Sequence, residues 1–432
     1  MNGRRKYQRF AIVFGKWVFL GAIIGAIVGS TTALLLEMND FLGEVRDGSK
    51  WVIYFLPLGG LIIGYMYMNY GKVYANNKMN DAADLNNLVI EAVHGKKTIM
   101  RRMGFIVYIG TFITVLFGGS TGREGAAVQM GGSVAEAVNR FFKVPPIDTK
   151  LILMSGISAG FGAAFGTPIT GAVFGMEMVA LGKLKFEAVV PCVTASFIGH
   201  YITEKAWNVE HEKFLLQTIP QMSVTTVVKV IVLSVLFSLI SLAYCQLRHW
   251  IQKWTEKIFQ KNHMKRAFAG GVVIVVLTLI LGTTDYNGRG LDMLEQSFTE
   301  EVPPFAFLAK LLFTAITLGT GFVGGEAIPL FFMGATFGNA LYPFLNLPLS
   351  FLAALGMIAA FCAGTNTPIA AFLLALEMFD GQGVEYFFVA CIVSYLFSGH
   401  HGLWPVQTMF EPKSRLFNIE NGQTIGQVEK NK

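Results

Sequence analysis

A charged pair framed by glycines interrupts the apolar sequence of this chain and constrains its fold more than any other feature. The stretch 118–125 reads Gly-Gly-Ser-Thr-Gly-Arg-Glu-Gly, with apolar runs before it at 105–117 and after it at 126–138. A carboxylate at bilayer depth costs about 2.5–3.5 kcal/mol on insertion scales. Arg123 and Glu124 therefore indicate a functional site, where glycine backbone and the positive end of a helix can approach a ligand.

Composition indicates a membrane protein. The chain is 53% apolar and 14% charged, against about 25% charged in soluble domains, and its mean hydropathy is +0.51. Shorter apolar runs, cut by glycine or proline, lie at 167–181 and 367–379. We predict an all-helical, polytopic protein in contact with the lipid bilayer. The longer apolar runs, which can cross a bilayer, include 17–36, 51–70, 224–243 and 267–281.

Other functional classes are not supported. The net charge of +6 fits the basic loops of a membrane protein, so a nucleic-acid partner is not predicted. The many methionines and phenylalanines fit lipid contact and core packing, and no cofactor is expected. A membrane-embedded hydrolase would need a nucleophile with a base, or metal ligands, at membrane depth. The sequence contains no His-Glu-x-x-His motif, and its apolar segments hold few aspartates. We therefore do not expect an enzyme.

The sequence repeats itself. A shift of 200 residues aligns 156–178 with 356–378, and nine of the 23 positions are identical, including Thr-Pro-Ile and a closing Glu-Met. The two closing acids, Glu177 and Glu377, occupy equivalent places, which favours a structural role at helix ends over a proton path.

A second motif repeats in the same order. A shift of 203 residues aligns 122–126, Gly-Arg-Glu-Gly-Ala, with 325–329, Gly-Glu-Ala-Ile-Pro. Two motifs repeated in one order indicate two homologous halves.

Basic segments indicate the orientation of these halves. Lysine and arginine concentrate in the N-terminus, at 94–102 and at 248–266, which we predict to be cytoplasmic. The segments 37–50 and 204–223 lack this bias and are predicted to be external. The first half would then begin inside and end outside, so the second half enters from the opposite face. Such an inverted-topology repeat places a transport site between the halves, near the membrane midplane.

This topology divides the chain into four parts. We predict a cytoplasmic N-terminus at 1–14, a first membrane repeat at 15–215, an inverted second repeat at 222–410 and a cytoplasmic tail at 411–432. The expected location is the cell membrane, with multiple passes and both termini in the cytoplasm.

Interrupted helices are expected where the halves meet, because irregular backbone at membrane depth must be buried or line a wet cavity. Glycine-rich interruptions lie at 118–125 and 319–325, and the short segment 83–93 contains the pair Asn86-Asn87. Three helix N-termini that converge on one point would form an anion site from backbone dipoles alone.

These motifs resemble those of the CLC family of chloride channels and chloride/proton antiporters. The stretch 122–125 resembles the family's GREGP motif, 325–329 its GxFxP motif, and 167–171 with Glu177 its next conserved helix. The resemblance covers about 15–410. It implies a CLC-type inverted-topology repeat with short broken and re-entrant helices, assembled as a homodimer.

Departures from the family pattern resemble its fluoride/proton antiporter branch. The stretch 85–88, Leu-Asn-Asn-Leu, stands where the GSGIP anion loop belongs, Glu326 occupies the variable position of the second motif, and Met178 replaces an acid. Where that branch usually carries a tyrosine, this chain has Trp404. The resemblance implies a transporter that exports fluoride in exchange for protons. A chloride channel or chloride/proton antiporter of the same family is the alternative.

The resemblance also implies residue roles. Ionised Glu124 would compete with an anion for the helix N-termini and, once protonated, would leave them free. Glu326 is the expected second proton carrier. An asparagine amide suits strongly hydrated fluoride better than a rotating hydroxyl. The predicted anion-binding residues are Asn86, Asn87, Arg123, Gly125, Ala327, Ile328 and Trp404.

Each role has a structural alternative. Glu124 could instead pair with Arg123, and the two asparagines could cap a helix. Glu326 could pair with an arginine, and Trp404 could anchor the chain at the membrane interface.

Overall fold

The computed structural model describes residues 3–71, 85–99, 101–260, 262–415 and 420–430. Helices dominate, and one parallel pair of short strands, β1 (Ala180–Leu181) and β2 (Thr408–Met409), joins distant parts of the chain. The predicted segment 83–93 appears as α3, and its first two residues lie outside the described ones. The helices are α1 (Gly3–Gly48), α2 (Leu56–Met66), α3 (Leu85–Val93), α4 (Arg101–Leu116), α5 (Glu124–Phe141), α6 (Thr149–Phe165), α7 (Pro168–Glu177), α8 (Val189–Tyr201), α9 (Val224–Ile258), α10 (His263–Leu281), α11 (Leu291–Gln296), α12 (Ala306–Gly319), α13 (Ala327–Ala340), α14 (Tyr342–Leu345), α15 (Leu349–Thr365), α16 (Pro368–Met378), α17 (Val384–Phe397) and α18 (Ile425–Lys430).

Four helical segments of the described chain are long and apolar enough to cross a membrane: Tyr7–Gly48, Lys50–Tyr70, Val224–Ile258 and His263–Leu281. Most of the other apolar helices have between 10 and 17 residues. Helices of that length do not cross the hydrocarbon core alone. They must therefore be covered by neighbouring helices, and α6 and α15 are buried along nearly their whole length.

Two of the segments whose charges predict a place outside the membrane are largely helical. Helix α1 runs through most of the predicted external segment 37–50, and α9 runs through the first part of the predicted cytoplasmic segment 248–266. The 46 residues of α1 extend about 70 Å at 1.5 Å per residue, against about 30 Å for the hydrocarbon core. The helix is therefore longer than the membrane is thick, and the charged residues near its ends lie on the part that extends into water.

The predicted internal repeat appears as a local two-fold relationship. Glu177, at the end of α7, accepts hydrogen bonds from the backbone N–H groups of Ile369 and Ala370 at the start of α16, at 3.1 and 2.8 Å. In the same way, Glu377 of α16 accepts hydrogen bonds from the backbone N–H groups of Ile169 and Thr170 of α7, at 2.9 and 2.7 Å. Each helix caps the N-terminus of the other, so α7 and α16 run antiparallel. The two carboxylates thus cap helix N-termini.

Paired glycines set the packing of each half. A side chain on Gly131 of α5 would collide with the carbonyl of Gly156 of α6, and the equivalent collision would occur between Gly334 of α13 and Gly356 of α15. Small residues at both crossings let the helix backbones touch. These contacts hold α5 and α13 in position, and the candidate site lies at the N-terminal ends of both helices.

The segment after α17 folds back onto the helix ends. The backbone N–H of Leu403 donates to the Gly364 carbonyl at 2.9 Å. The Gln407 side chain donates to the carbonyls of Met178 and Thr365, at 2.8 and 3.0 Å. These bonds hold Trp404 between α7 and α15.

Candidate anion site

Two glycine loops bring the halves together. Gly122 and Gly325 exchange backbone hydrogen bonds, with N···O distances of 2.8 and 2.7 Å, as an isolated antiparallel bridge. The Thr121 hydroxyl adds a bond to the Gly325 carbonyl at 3.0 Å. Helix α5 begins two residues after the first glycine, and α13 two residues after the second. The bridge therefore makes the N-terminal ends of both helices face one place.

A small cavity lies at that place. Its volume is about 30 Å³, and a cavity needs about 10–15 Å³ to hold one water molecule. The starts of α3, α5 and α13 all reach it, as the sequence predicts. The lining residues are Asn86, Glu124, Gly125, Val128, Phe161, Phe165, Phe174, Met178, Glu326, Ala327, Phe361, Thr365, Leu403 and Trp404.

Glu124 occupies the N-terminal end of its own helix. Its side chain is buried, and its Oε2 accepts a hydrogen bond from the backbone N–H of Arg123 at 3.0 Å. Arg123 is the N-cap residue of α5. A free N–H at a helix start is the donor that a bound anion uses. The carboxylate therefore accepts the hydrogen bond that the Arg123 N–H could otherwise donate to an anion in the cavity.

The Arg123 side chain points away from the cavity. Its guanidinium contacts Asp40 of α1 at 2.5 Å and Glu212 at 2.9 Å, and Arg289 contacts the same two carboxylates. The distance from Arg123 Nε to Glu124 Oε1 is 4.0 Å, so pairing with Glu124 is the weakest of these contacts. The arginine ties α5 to the segments outside it, and its side chain is not part of the cavity lining.

Glu326 faces the cavity from the second half. It is the N-cap residue of α13, and its Oε1 accepts a hydrogen bond from the Tyr244 hydroxyl at 2.9 Å. The same oxygen lies 3.3 Å from Nε of Arg248, and all three side chains are buried. The structure thus shows the arginine pairing that the sequence leaves open as an alternative.

The sequence motifs do not predict Tyr244 or Arg248 as residues of the site. Both lie on α9, more than 75 residues before Glu326, and no local motif connects them to it. Arg248 begins the basic segment 248–266 that is predicted to be cytoplasmic. Its position within a strongly apolar helix, where a charge is costly, is the signal that could have identified it.

Trp404 lies in the cavity wall, where its side chain is buried. It is 6% exposed, and its ring packs edge-on against Phe174 with centroids 6.2 Å apart. The indole Nε1 has no hydrogen-bond partner among the described residues. A buried N–H normally finds an acceptor, so this unpaired donor on a lining residue is a candidate ligand group.

The other predicted anion ligands divide into two groups. Asn86 lines the cavity, and its amide lies next to Gly125, which also lines it together with Ala327. Asn87 and Ile328 are buried close by in sequence but do not contribute to the lining. Six of the nine predicted site residues therefore meet at one cavity.

The arrangement restricts what the cavity can hold. Two carboxylates, Glu124 and Glu326, face a space of about 30 Å³. An anion placed between two ionised carboxylates would be strongly repelled, whereas a protonated carboxyl is neutral and can donate a hydrogen bond. Anion entry and carboxylate protonation are therefore physically linked at this site.

Comparison with known proteins supports the family suggested by the motifs. The chain matches the family model described as voltage gated chloride channel over residues 59–399. A chloride/fluoride channel protein of Pseudomonas syringae pv. tomato is 38% identical over 405 residues, which cover 92% of this chain and 87% of that protein. The H(+)/Cl(-) exchange transporter ClcA of Vibrio cholerae is 26% identical over 384 residues, covering 84% and 81%.

Solved structures confirm the fold class predicted from the sequence. A CLC-type fluoride/proton antiporter superposes with a TM-score of 0.86 and 27% identity, over 91% of this chain and 98% of that one. A slow cyanobacterial Cl−/H+ antiporter superposes with a TM-score of 0.74 and 18% identity, over 88% and 94%. The second likeness bears on the fold alone.

Proposed function

Since the chain belongs to the voltage-gated chloride channel family, whose members are channels and transporters and not enzymes, we propose that it exports fluoride in exchange for protons. One observation carries the proposal: the Glu124 carboxylate lies on the N-terminal end of its own helix, within a cavity that a second carboxylate shares. The names of a relative, "chloride/fluoride channel protein", and of a structural relative, "fluoride/proton antiporter", support the choice of anion.

Exchange follows from competition for one donor. Ionised Glu124 accepts the Arg123 N–H. When Glu124 takes up a proton, its negative charge disappears. An anion can then accept the hydrogen bond from the Arg123 N–H in its place. When Glu124 later releases the proton and returns, the anion must leave. Each cycle of the side chain therefore links the movement of a proton to the movement of an anion.

Glu326 serves in this proposal as the second proton carrier. It lies across the cavity from Glu124, at the start of the equivalent helix of the other half. A proton released by Glu124 needs an acceptor before it reaches water, and Glu326 is the other carboxylate in the cavity lining.

The size and donors of the cavity favour fluoride over chloride. A volume of about 30 Å³ suits an ion close to water in size. Fluoride holds its water strongly, so a selective site must replace that water with good donors. The Trp404 N–H, the Asn86 amide and the backbone N–H groups at the starts of α5 and α13 supply them. Chloride transport, in a channel or in exchange for protons, is the alternative, and the names of the sequence relatives include chloride.

We also propose the membrane arrangement that the sequence predicts. The protein lies in the cell membrane as a homodimer, with residues 15–215 and 222–410 as inverted repeats and both termini in the cytoplasm. Accessibility of cysteines introduced at Lys6 and at Lys50 to a membrane-impermeant thiol reagent tests the orientation, and cross-linking in liposomes tests the dimer.

The proposed function is tested with purified protein in liposomes. Efflux of fluoride or chloride is recorded with an ion-selective electrode, while proton uptake is followed with an external pH electrode. We expect fluoride efflux at least tenfold faster than chloride efflux, with protons entering as fluoride leaves. Equal rates for the two halides would contradict fluoride selectivity, and fluoride efflux without proton entry would contradict exchange.

A further inference from the structure

Four charged side chains form a closed ring beside Glu124, which we call the charge ring. Arg123 contacts Asp40 at 2.5 Å and Glu212 at 2.9 Å. Arg289 contacts the same two carboxylates, Glu212 at 2.9 Å. Each arginine therefore lies between two acids, and each acid lies between two arginines. Asp40 is partly exposed, whereas the other three side chains are at most 19% exposed.

The charge ring lies between the small cavity that Glu124 lines and a larger cavity. The larger cavity has a volume of about 520 Å³, and Asp40, Arg289 and the exposed Glu44 belong to its lining, so it is open to water. Among the residues that the structure describes, the linings of the two cavities share none. A route from the larger cavity to Glu124 therefore passes Asp40 and Arg289 and then Arg123, the neighbour of Glu124.

Three members of the charge ring stand on firmly held parts of the fold. Asp40 belongs to the long helix α1, and Arg123 is the N-cap residue of α5. Arg289 follows directly on Gly288, whose carbonyl accepts a hydrogen bond from the Thr121 backbone N–H at 3.1 Å. This bond fastens the loop that carries Arg289 to the first glycine loop of the site.

The fourth member, Glu212, stands on a different kind of support. It belongs to the segment 208–223, which precedes α9 and forms neither helix nor strand. Close to Glu212, the Phe214 ring stacks on Phe298 with centroids 5.1 Å apart. Irregular segments open locally at lower free energy than packed helices do. Glu212 is therefore the member of the ring that can move away.

Departure of Glu212 leaves both arginines with a partner. The Asp40 carboxylate contacts Arg123 and Arg289 alike. Neither guanidinium then becomes a buried charge without a counter-charge, which would be strongly unfavourable. The three remaining side chains carry one excess positive charge beside Glu124, and this charge attracts an anion to the opened ring.

We propose that the charge ring is a gate between the larger cavity and the transport site, which opens when Glu212 moves away with the segment 208–223. The inference rests on the proposed function only in taking the small cavity as the transport site. An exchanger must close its site to one side of the membrane while the site is open to the other. The closed ring is the barrier on the side that the Arg123 side chain faces.

Chemical access to the small cavity tests the gate without transport. Val128→Cys places a thiol at a buried lining residue, and its reaction with the small neutral reagent methyl methanethiosulfonate is timed by mass spectrometry on detergent-purified protein. The four native cysteines are buried, so their background reaction is slow. Adding Glu212→Gln should raise the reaction rate of the new thiol at least tenfold. Glu210→Gln is the matched control, because Glu210 is an exposed acid on the same segment outside the ring.

A reversible cross-link tests the gate during transport. Asp40→Cys is combined with Glu212→Cys, since the two native carboxylates contact one guanidinium, and a bifunctional methanethiosulfonate joins the thiols before reconstitution into liposomes. The joined segment cannot leave the ring, so fluoride efflux should fall at least tenfold and recover when dithiothreitol cleaves the link. The variants with only one of the two cysteines, treated in the same way, should keep their efflux.

Glu212→Asp replaces Glu212→Gln in the access measurement if the glutamine variant does not fold. Its shorter side chain keeps the charge but reaches the two arginines less well, so the thiol should react faster than in the control by a smaller factor. A thiol that reacts no faster than in Glu210→Gln, or fluoride efflux that the cross-link leaves unchanged, would overturn the inference. The access measurement needs neither transport nor a particular anion, so its result is independent of the test of fluoride export.

Discussion

Gly122 and Gly325 exchange two backbone hydrogen bonds, at 2.8 and 2.7 Å, and so join the two halves of the chain at one point. Each glycine is followed at once by the turn that starts a helix, α5 in one half and α13 in the other. Glu124 and Glu326 stand in those turns and share one cavity. The bridge thus turns a sequence repeat into a pair of carboxylates that share one cavity.

Glu124→Gln should abolish proton coupling. Glutamine has nearly the same shape but cannot exchange a proton, so fluoride movement in liposomes should lose at least nine tenths of its accompanying proton uptake. Glu136→Gln is the matched control on α5, since that buried side chain pairs with Arg140 at 2.8 Å and does not line the cavity. Proton coupling that persists in Glu124→Gln would remove Glu124 from its role.

Trp404→Phe should weaken fluoride binding while preserving the fold. The variant keeps an aromatic ring against Phe174 but removes the indole N–H that has no partner among the described residues. A hydrogen bond to a charged group contributes about 1.5–3 kcal/mol, so the fluoride Kd should rise by about 10- to 100-fold. Calorimetry measures the change, with Trp254→Phe, an exposed indole on α9, as the control. An unchanged Kd would exclude the indole as a ligand.

Glu177→Gln and Glu377→Gln should reduce stability without changing the ratio of protons to fluoride. Each carboxylate caps the N-terminus of the opposite Thr-Pro helix, and loss of such a cap costs about 0.5–2 kcal/mol. Thermal unfolding in detergent measures the loss, and the exposed Glu385→Gln is the control. A changed ion ratio at unchanged stability would instead place these acids on a proton path.

Lys413 should make stability depend on pH. Burial lowers the pKa of this lysine, in the segment after α17, to about 7. The unfolded chain, with an ordinary lysine pKa near 10.4, binds more protons than the folded one between these values. Stability should therefore rise from about pH 7 upward and be lowest below it. Thermal unfolding between pH 6 and 9 should show this rise in the unmodified protein and in the exposed control Lys257→Met, but not in Lys413→Met. The same rise in Lys413→Met would contradict the assignment.

Short sequence motifs predicted those parts of the site that each depend on one turn or one helix start. The 200-residue shift anticipated the equivalence of α7 and α16, and the two glycine motifs anticipated the facing starts of α5 and α13. Trp404 was found because it stands at the place of a family tyrosine. Local patterns of this kind survive in sequence because each one sets a turn or a helix start.

Contacts between distant residues could not be predicted. Tyr244 and Arg248 meet Glu326 only because α9 packs beside α13, and Asp40 and Glu212 turn the Arg123 side chain outward. Charged residues along the sequence also do not show where a helix ends, because a helix can continue into water and carry charged residues there. Arg248 looked like part of a basic loop and proved to be a buried partner of the site.

The most direct test of coupled exchange is uphill transport. Purified protein is placed in liposomes with equal fluoride on both sides and a proton gradient across the membrane, and the membrane voltage is held near zero with potassium and valinomycin. If fluoride and protons exchange through Glu124, protons moving down their gradient should drive fluoride the opposite way until its concentrations differ several-fold, and Glu124→Gln should show no such accumulation. Fluoride that stays equal on both sides in the unmodified protein, while still equilibrating freely when its own gradient is applied, would contradict the exchange mechanism.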